Sequence, residues 1–180
     1  MFRPIAGPEV PATQQILVRR IQVTEGLLFQ QLQLEAIDDT PYAFGPIRER
    51  VQGATSEALA RQAAHYATSK TEAVFLAMQQ STPVGTASVH WEAEQFWLSF
   101  VWVHPAWRKS GLAQTLLAHA ALWCRDTGVR TLYARVLDEN PHALRFYQRE
   151  GWQVVGQEPW PSKPARTRFI ICRPLDEGIA

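Results

Sequence analysis

The chain has little cysteine, no long apolar run and almost no net charge, and each shortage removes a class of function. Cys124 and Cys172 are the two cysteines. They are too few and too far apart for a disulfide framework or a zinc ligand set, and both fall in apolar segments, where reduced core thiols are expected. The five histidines, His65, His90, His104, His119 and His142, lack metal-ligand spacing, so no metal is expected. No run approaches the length of a membrane span, and Met1-Phe2-Arg3-Pro4-Ile5 does not open a secretory signal, so a cytoplasmic protein with no membrane partner is expected. A formal charge of +1, with basic residues dispersed among acidic ones, gives no electrostatic footprint for nucleic acid. Neither GxGxxG nor GxxxxGK[ST] occurs, which argues against NAD and ATP.

What is present suits one domain: 180 residues, of which 46% are hydrophobic, can bury a substantial core. Residues 1–14, rich in Pro and Ala, read as an N-terminal tail, residues 15–175 as a single domain and residues 176–180 as a C-terminal tail. Residues 16–21 have strand composition. Thr24 is placed to cap a helix through Ile37, which Pro41 prevents from continuing. Residues 41–55 read as a loop with Tyr42, Phe44 and an Arg48-Glu49-Arg50 cluster, long and aromatic enough to cover a substrate. Ser56 can cap a second helix carrying Leu59, Ala63 and Tyr66 at helical spacing. Residues 73–78, 84–91 and 96–103 then predict an antiparallel meander. In its third strand Phe96, Leu98, Phe100 and Trp102 are expected on one face, with Trp97, Ser99, Val101 and Val103 on the other.

The most informative stretch is Val103-His104-Pro105-Ala106-Trp107-Arg108-Lys109-Ser110-Gly111-Leu112-Ala113, where an apolar strand ends and a basic, glycine-containing turn opens a helix. Helix-opening N–H groups lack intrahelical partners and carry the positive end of the helix dipole, so several can converge on phosphate oxygens. Arg108 and Lys109 add charge, Gly111 permits close approach of the backbone, and the turn predicts a pyrophosphate. Leu112, Leu116, Ala120 and Trp123 form the apolar stripe of the helix, which ends near Gly128. Residues 132–137 make the next strand. Such a strand–helix–strand unit places its strands parallel, with ligands at their carboxyl ends. Asn140-Pro141 opens another helix reaching Gln148. Residues 152–155 and 168–172 read as a closing strand pair. Between them Pro159, Trp160, Pro161 and Pro164 form a stiff loop with Lys163 and Arg166, a second candidate lid.

Taken in order, these residues resemble the GNAT superfamily of N-acetyltransferases over residues 16–172. Arg108-x-x-Gly111-x-Ala113 resembles its [Arg/Gln]-x-x-Gly-x-[Gly/Ala] acyl-CoA motif, and Asn140-x-x-Ala143-x-x-x-Tyr147 its second signature. The resemblance implies an α/β fold of the α+β type: a mixed, mostly antiparallel sheet flanked by helices, whose central parallel strands splay apart. It implies acetyl-CoA as cosubstrate. The pantetheine arm would lie in the splay against main-chain groups of Val101, Trp102 and Val103, with the pyrophosphate on N–H groups of Lys109, Ser110, Gly111, Leu112 and Ala113. Asn140 and Ala143 would meet the arm from the other side.

By the same resemblance Tyr147 serves as general acid for the leaving thiol, although alone it would read as a core tyrosine beside Leu144 and Phe146. The general base is left open, because many relatives use a carboxylate on the fourth strand and here its middle offers Trp97, Ser99 and Val101. Glu94 or His90 is the tentative base, Glu92 lies nearby, and a water chain would also serve. Tyr42, Phe44, Trp91, Trp97 and Trp160 are candidates for an aromatic acceptor pocket. The acceptor stays open among small amines, aminoglycosides, peptide amino termini and lysine side chains. A non-catalytic acyl-CoA-binding module is the alternative function, and monomer and homodimer are both compatible with the sequence.

Overall fold

The computed structural model describes residues 16–161 and 163–175, so the tails expected at 1–14 and 176–180 lie outside the described residues. Seven strands, β1 (Ile16–Arg20), β2 (Glu72–Gln79), β3 (Thr82–Glu92), β4 (Gln95–Val103), β5 (Thr131–Leu137), β6 (Gln153–Trp160) and β7 (Lys163–Pro174), form one sheet. Its order is β1-β2-β3-β4-β5-β7-β6. Every neighbouring pair is antiparallel except β4 with β5. The connection between those two is α5 (Leu112–Asp126), because a parallel pair needs a crossover longer than a hairpin turn. The remaining helices are α1 (Gly26–Asp39), α2 (Pro41–Phe44), α3 (Arg48–Gln52), α4 (Ser56–Thr68) and α6 (Pro141–Arg149).

The helices cover both faces. Ala73, Phe75 and Ala77 of β2 pack with Leu116, Ala120 and Cys124 of α5. Val74, Leu76 and Met78 of the same strand pack with Phe29, Leu32 and Ala36 of α1 and Ala63 of α4. A strand covered on both faces reads as an unbroken apolar run, which is how β2 looks in sequence. Gly26 opens α1 directly against the Leu59 carbonyl of α4, leaving no room for a Cβ.

Four expectations are corrected. Residues 41–55 are not an open loop: Pro41 occupies the first turn of α2, a 3-10 turn spans Gly45–Ile47, and α3 follows, as the fixed φ of proline suits a helix start. Thr24 caps nothing, since α1 begins at Gly26 with Glu25 before it, and Glu25 is engaged with Arg19. The cap of α4 is Thr55, whose side chain accepts from the Ala58 N–H at 3.2 Å, one residue before Ser56. The stiff loop at 159–164 is mostly strand, since β6 runs through Trp160 and β7 resumes at Lys163.

The strict alternation expected for β4 also fails. Phe96 and Leu98 face α5, yet Phe100 and Trp102 face α1, with Val101 and Val103 taking the α5 side. A bulge is the cause: Ser88 pairs with Ser99 but Thr86 pairs with Trp102, so β4 carries one extra residue. Phe100 absorbs it in a left-handed backbone conformation, φ 47°, at a cost on the order of 1–3 kcal/mol. Its ring rests on Phe44 with centroids 4.4 Å apart. Where the bulge begins, β4 leaves β5. The two strands pair only between Phe96, Trp97, Leu98 and Leu132, Tyr133, Ala134, while β5 stays on β7 through Leu137.

Candidate active site

The parting of β4 and β5 opens a cavity of about 500 Å³. On its α6 side stand Asn140, Ala143 and Tyr147, and on its α1 side Phe29, Gln33, Phe44 and Tyr66, so the space runs through the sheet from one face to the other. Asn140 caps α6 by accepting the Ala143 N–H at 3.1 Å. That contact uses its amide oxygen and leaves the amide N–H groups without a partner among the described residues. Tyr147 is buried against Phe146 and Trp152, with ring centroids 5.4 and 5.2 Å away, and burial pushes its phenol well above the ordinary tyrosine value.

Past the end of β4, His104 starts a 3-10 turn, Pro105–Trp107. Lys109 (φ 64°) and Gly111 (φ 86°) both take left-handed backbone conformations, and Gly111 is the N-cap of α5. Ser110 ties the turn down by donating to the Trp107 carbonyl at 2.6 Å. The N–H groups of residues 109–114 have no hydrogen-bond partner among the described residues. Consecutive free N–H groups at the start of a helix form an anion cradle. Arg108 does not share in it: its Nε donates to the Val103 carbonyl at 3.1 Å and its guanidinium is paired with Asp39.

At the β3–β4 wall, Ser99, His90 and Glu92 form a chain. Ser99 Oγ lies 3.3 Å from His90 Nδ1, and His90 Nε2 lies 3.2 Å from a Glu92 carboxylate oxygen. Arg135 holds that carboxylate through two hydrogen bonds of 2.9 and 3.2 Å, and its hydrogen bonds keep Glu92 below the usual carboxylate range. An ionised carboxylate only accepts, so the proton between Glu92 and His90 belongs to Nε2, and in the neutral ring Nδ1 then faces Ser99 as an acceptor. The residues meet because His90 pairs with Trp97 in register, which makes Ser99 its diagonal neighbour on the same sheet face. Ser99 and His90 line the cavity and Glu92 stands behind them.

The model of the acetyltransferase (GNAT) family matches residues 35–152, most of the chain. The chain belongs to the GNAT acetyltransferase family. Solved structures agree in fold. A GNAT-family acetyltransferase from Streptococcus pneumoniae is 16% identical, with 90% of this chain and 100% of that chain covered and a TM-score of 0.69. The PaiA N-acetyltransferase of Thermoplasma acidophilum, solved in complex with coenzyme A, is 18% identical over 89% of this chain and 99% of that chain, TM-score 0.71. The ribosomal-protein-S18-alanine N-acetyltransferase of Escherichia coli is 16% identical over 92% and 99%, TM-score 0.63. No curated protein sequence matches the chain.

A GNAT acetyltransferase uses acetyl-CoA, and the residues here fit it. The cradle at residues 109–114 has unpartnered donors for a pyrophosphate, and the β4 edge beyond Leu98 has main-chain groups that β5 no longer pairs. Val101, Asn140, Ala143 and Tyr147 line the adjoining cavity. Trp102 and Val103 lie on the same freed stretch, though the Trp102 side chain turns away to donate to Asp39 at 2.8 Å. Leu112 is buried and Ala113 packs beside it, anchoring the turn from behind.

The acceptor residues read from the sequence are divided by the fold. Phe44 and Trp160 line the cavity. Trp97 is buried beneath the Arg135 guanidinium, 3.6 Å from its ring centroid. Tyr42 and Trp91 are exposed and outside the lining, Trp91 packing on Phe96 on the α5 side. Glu94 sits in the β3–β4 turn with φ 62°, also outside the lining. Arg50, from the Arg48-Glu49-Arg50 cluster of the segment expected to cover a substrate, does line the cavity, whereas sequence reasoning missed Gln33, Tyr66, Arg135 and Arg168, which come from four separate elements and share no local signal.

Proposed function

We propose that this acetyltransferase transfers the acetyl group of acetyl-CoA to a primary amine by direct attack within a ternary complex. The observation that carries this reading is one cavity lined both by Val101 on the splayed β4 edge, where a cosubstrate arm fits, and by His90 and Ser99. Acetyl-CoA supplies the activated thioester carbonyl. The amine must arrive without its extra proton, which for a lysine-like group costs roughly 4–5 kcal/mol at pH 7. Ser99 Oγ can accept that proton while passing its own to His90 Nδ1, and Glu92, fixed by Arg135, stabilises the imidazolium that forms. On the far side of the gap Tyr147 keeps its phenol proton because of burial, so it can donate toward the departing sulfur. Asn140 offers its free amide N–H groups beside it.

Two measurements test the reading. Calorimetric titration with acetyl-CoA should show stoichiometric binding, and an amine panel should release free thiol. His90→Gln is expected to lower kcat by about 10²–10⁴-fold with acetyl-CoA affinity retained, the range for loss of a general base. Binding without turnover of any amine would favour a non-catalytic acyl-CoA-binding module, and full activity in His90→Gln would remove the relay from the mechanism.

A further inference from the structure

The charge of the acceptor half of the cavity identifies a substrate class, on the footing that the cavity acetylates amines as proposed above. Among the described residues no aspartate or glutamate lines it, whereas Arg50, Arg135 and Arg168 do. The three guanidiniums are not equivalent. Arg135 is neutralised by Glu92 and by Glu158, to which its Nε donates at 2.9 Å. Arg168 shares that same Glu158 oxygen, and its Nε is buried with no hydrogen-bond partner among the described residues. Arg50, exposed in the middle of α3, has no ion pair among the described residues. Two carboxylates against three guanidiniums leave the site net positive.

We infer that the acceptor is an amine that also carries a carboxylate, in class a free α-amino acid or short peptide with an apolar or aromatic body, and that Arg168 with Arg50 selects it. The carboxylate satisfies the open guanidinium donors, for which planar, two-oxygen recognition is favourable. The body of the acceptor lies against Phe44, Phe100 and Trp160, which line the same space. A polycationic amine meets the opposite situation, because each additional ammonium group would enter beside uncompensated arginine charge with no lining carboxylate to receive it. Arg168 lies opposite Leu137 in register, at the end of β5 that has parted from β4, so the selecting charge stands beside the gap between the two strands.

The test compares phenylalanine, phenylalaninamide, phenethylamine and spermidine as acceptors at saturating acetyl-CoA, read as kcat/KM from thiol release. The amide is the more easily deprotonated amine, so preference for the acid would not come from reactivity. We expect phenylalanine to exceed its amide at least tenfold. That ratio should fall toward one in Arg168→Gln, recover in part in Arg168→Lys, and shrink in Arg50→Gln, where the exposed site removes any concern about folding. Equal or better turnover of the amide or spermidine overturns the charge selection while leaving the transferase reading intact. Turnover of no amine by a protein that binds acetyl-CoA overturns the transferase reading instead. In that event calorimetry with N-acetylphenylalanine against N-acetylphenylalaninamide still decides the charge preference, with equal affinities refuting it.

Discussion

In the proposed reaction Tyr147 serves packing and chemistry together. Its ring is wedged between Phe146 and Trp152, and the burial that makes it part of the core also raises its phenol and keeps the proton in place. Tyr147→Phe removes one oxygen and leaves the ring contacts intact. The expected result is a fall in kcat of about 10²-fold or more, as for loss of a general acid, with acetyl-CoA affinity and melting temperature nearly unchanged. Parallel loss of affinity and stability would assign the hydroxyl to structure alone. That Tyr147 and Asn140 share the cavity was legible in sequence through their spacing, since Asn140 caps the short helix that carries Tyr147. The residues around His90 were legible only as a set of alternatives. Glu92 is two positions from His90 on the same strand, but Ser99 reaches His90 across 9 positions and Arg135 reaches Glu92 across 43, and no local pattern fixes a diagonal contact. Glu94, equally acidic on paper, is carried out of reach by the hairpin turn.

Among the elements, the turn into α5 could be read in advance and the bulge in β4 could not. Everything that makes the turn an anion cradle is local: a strand end, a positive-φ glycine at the N-cap, and the first free N–H groups of an amphipathic helix. Gly111→Val tests it. Nothing lies within 4 Å of a Cβ built at that position, so no collision confuses the result, but a β-branched residue at φ 86° carries about 1–2 kcal/mol of backbone strain. We expect acetyl-CoA affinity to fall at least tenfold by calorimetry, with the far-ultraviolet spectrum retained. Unchanged affinity would show that the N–H groups of this turn do not hold the cosubstrate. The bulge gave no such signal. Phe96, Leu98, Phe100 and Trp102 alternate without a break in sequence, and only the pairing of β3 with β4 reveals that Phe100 and Trp102 cross to the other face. Yet the bulge sits where β4 leaves β5, so the feature invisible in the alternation lies at the opening of the site. The short helices between residues 41 and 52 escaped for a related reason: three or four residues are too few to show a helical period, and tertiary packing under Phe100 decides their form.

At the scale of the molecule, a single carboxylate ties the acceptor side to the cosubstrate side. Asp39 ends α1, accepts the Trp102 indole N–H from β4 at 2.8 Å, and pairs with Arg108 of the turn before α5. Burial by itself would raise its pKa, but hydrogen bonds from Trp102, Thr40 and Arg108 outweigh burial and hold the carboxyl below the usual aspartate range. Because it titrates lower when folded than when unfolded, its contribution is complete above the ordinary carboxylate range and is lost as pH falls through the folded value. Asp39→Asn keeps an acceptor for Trp102 and removes only the charge. Arg108 is 48% exposed and Asp39 22%, so after solvent screening the charge contributes about 1 kcal/mol, or about 2–4 °C in melting temperature for a chain of this size. The variant should therefore melt below the parent by that amount at pH 7, and the difference should close as the pH is lowered past about 3.9, the unfolded value. Thermal scans across that range decide between two origins. A gap that closes assigns the strap to charge, whereas a gap of constant size assigns it to the packing of α1 on β4, in which case neutral substitutions at Trp102, and not the pH, would loosen the junction between the two halves of the site.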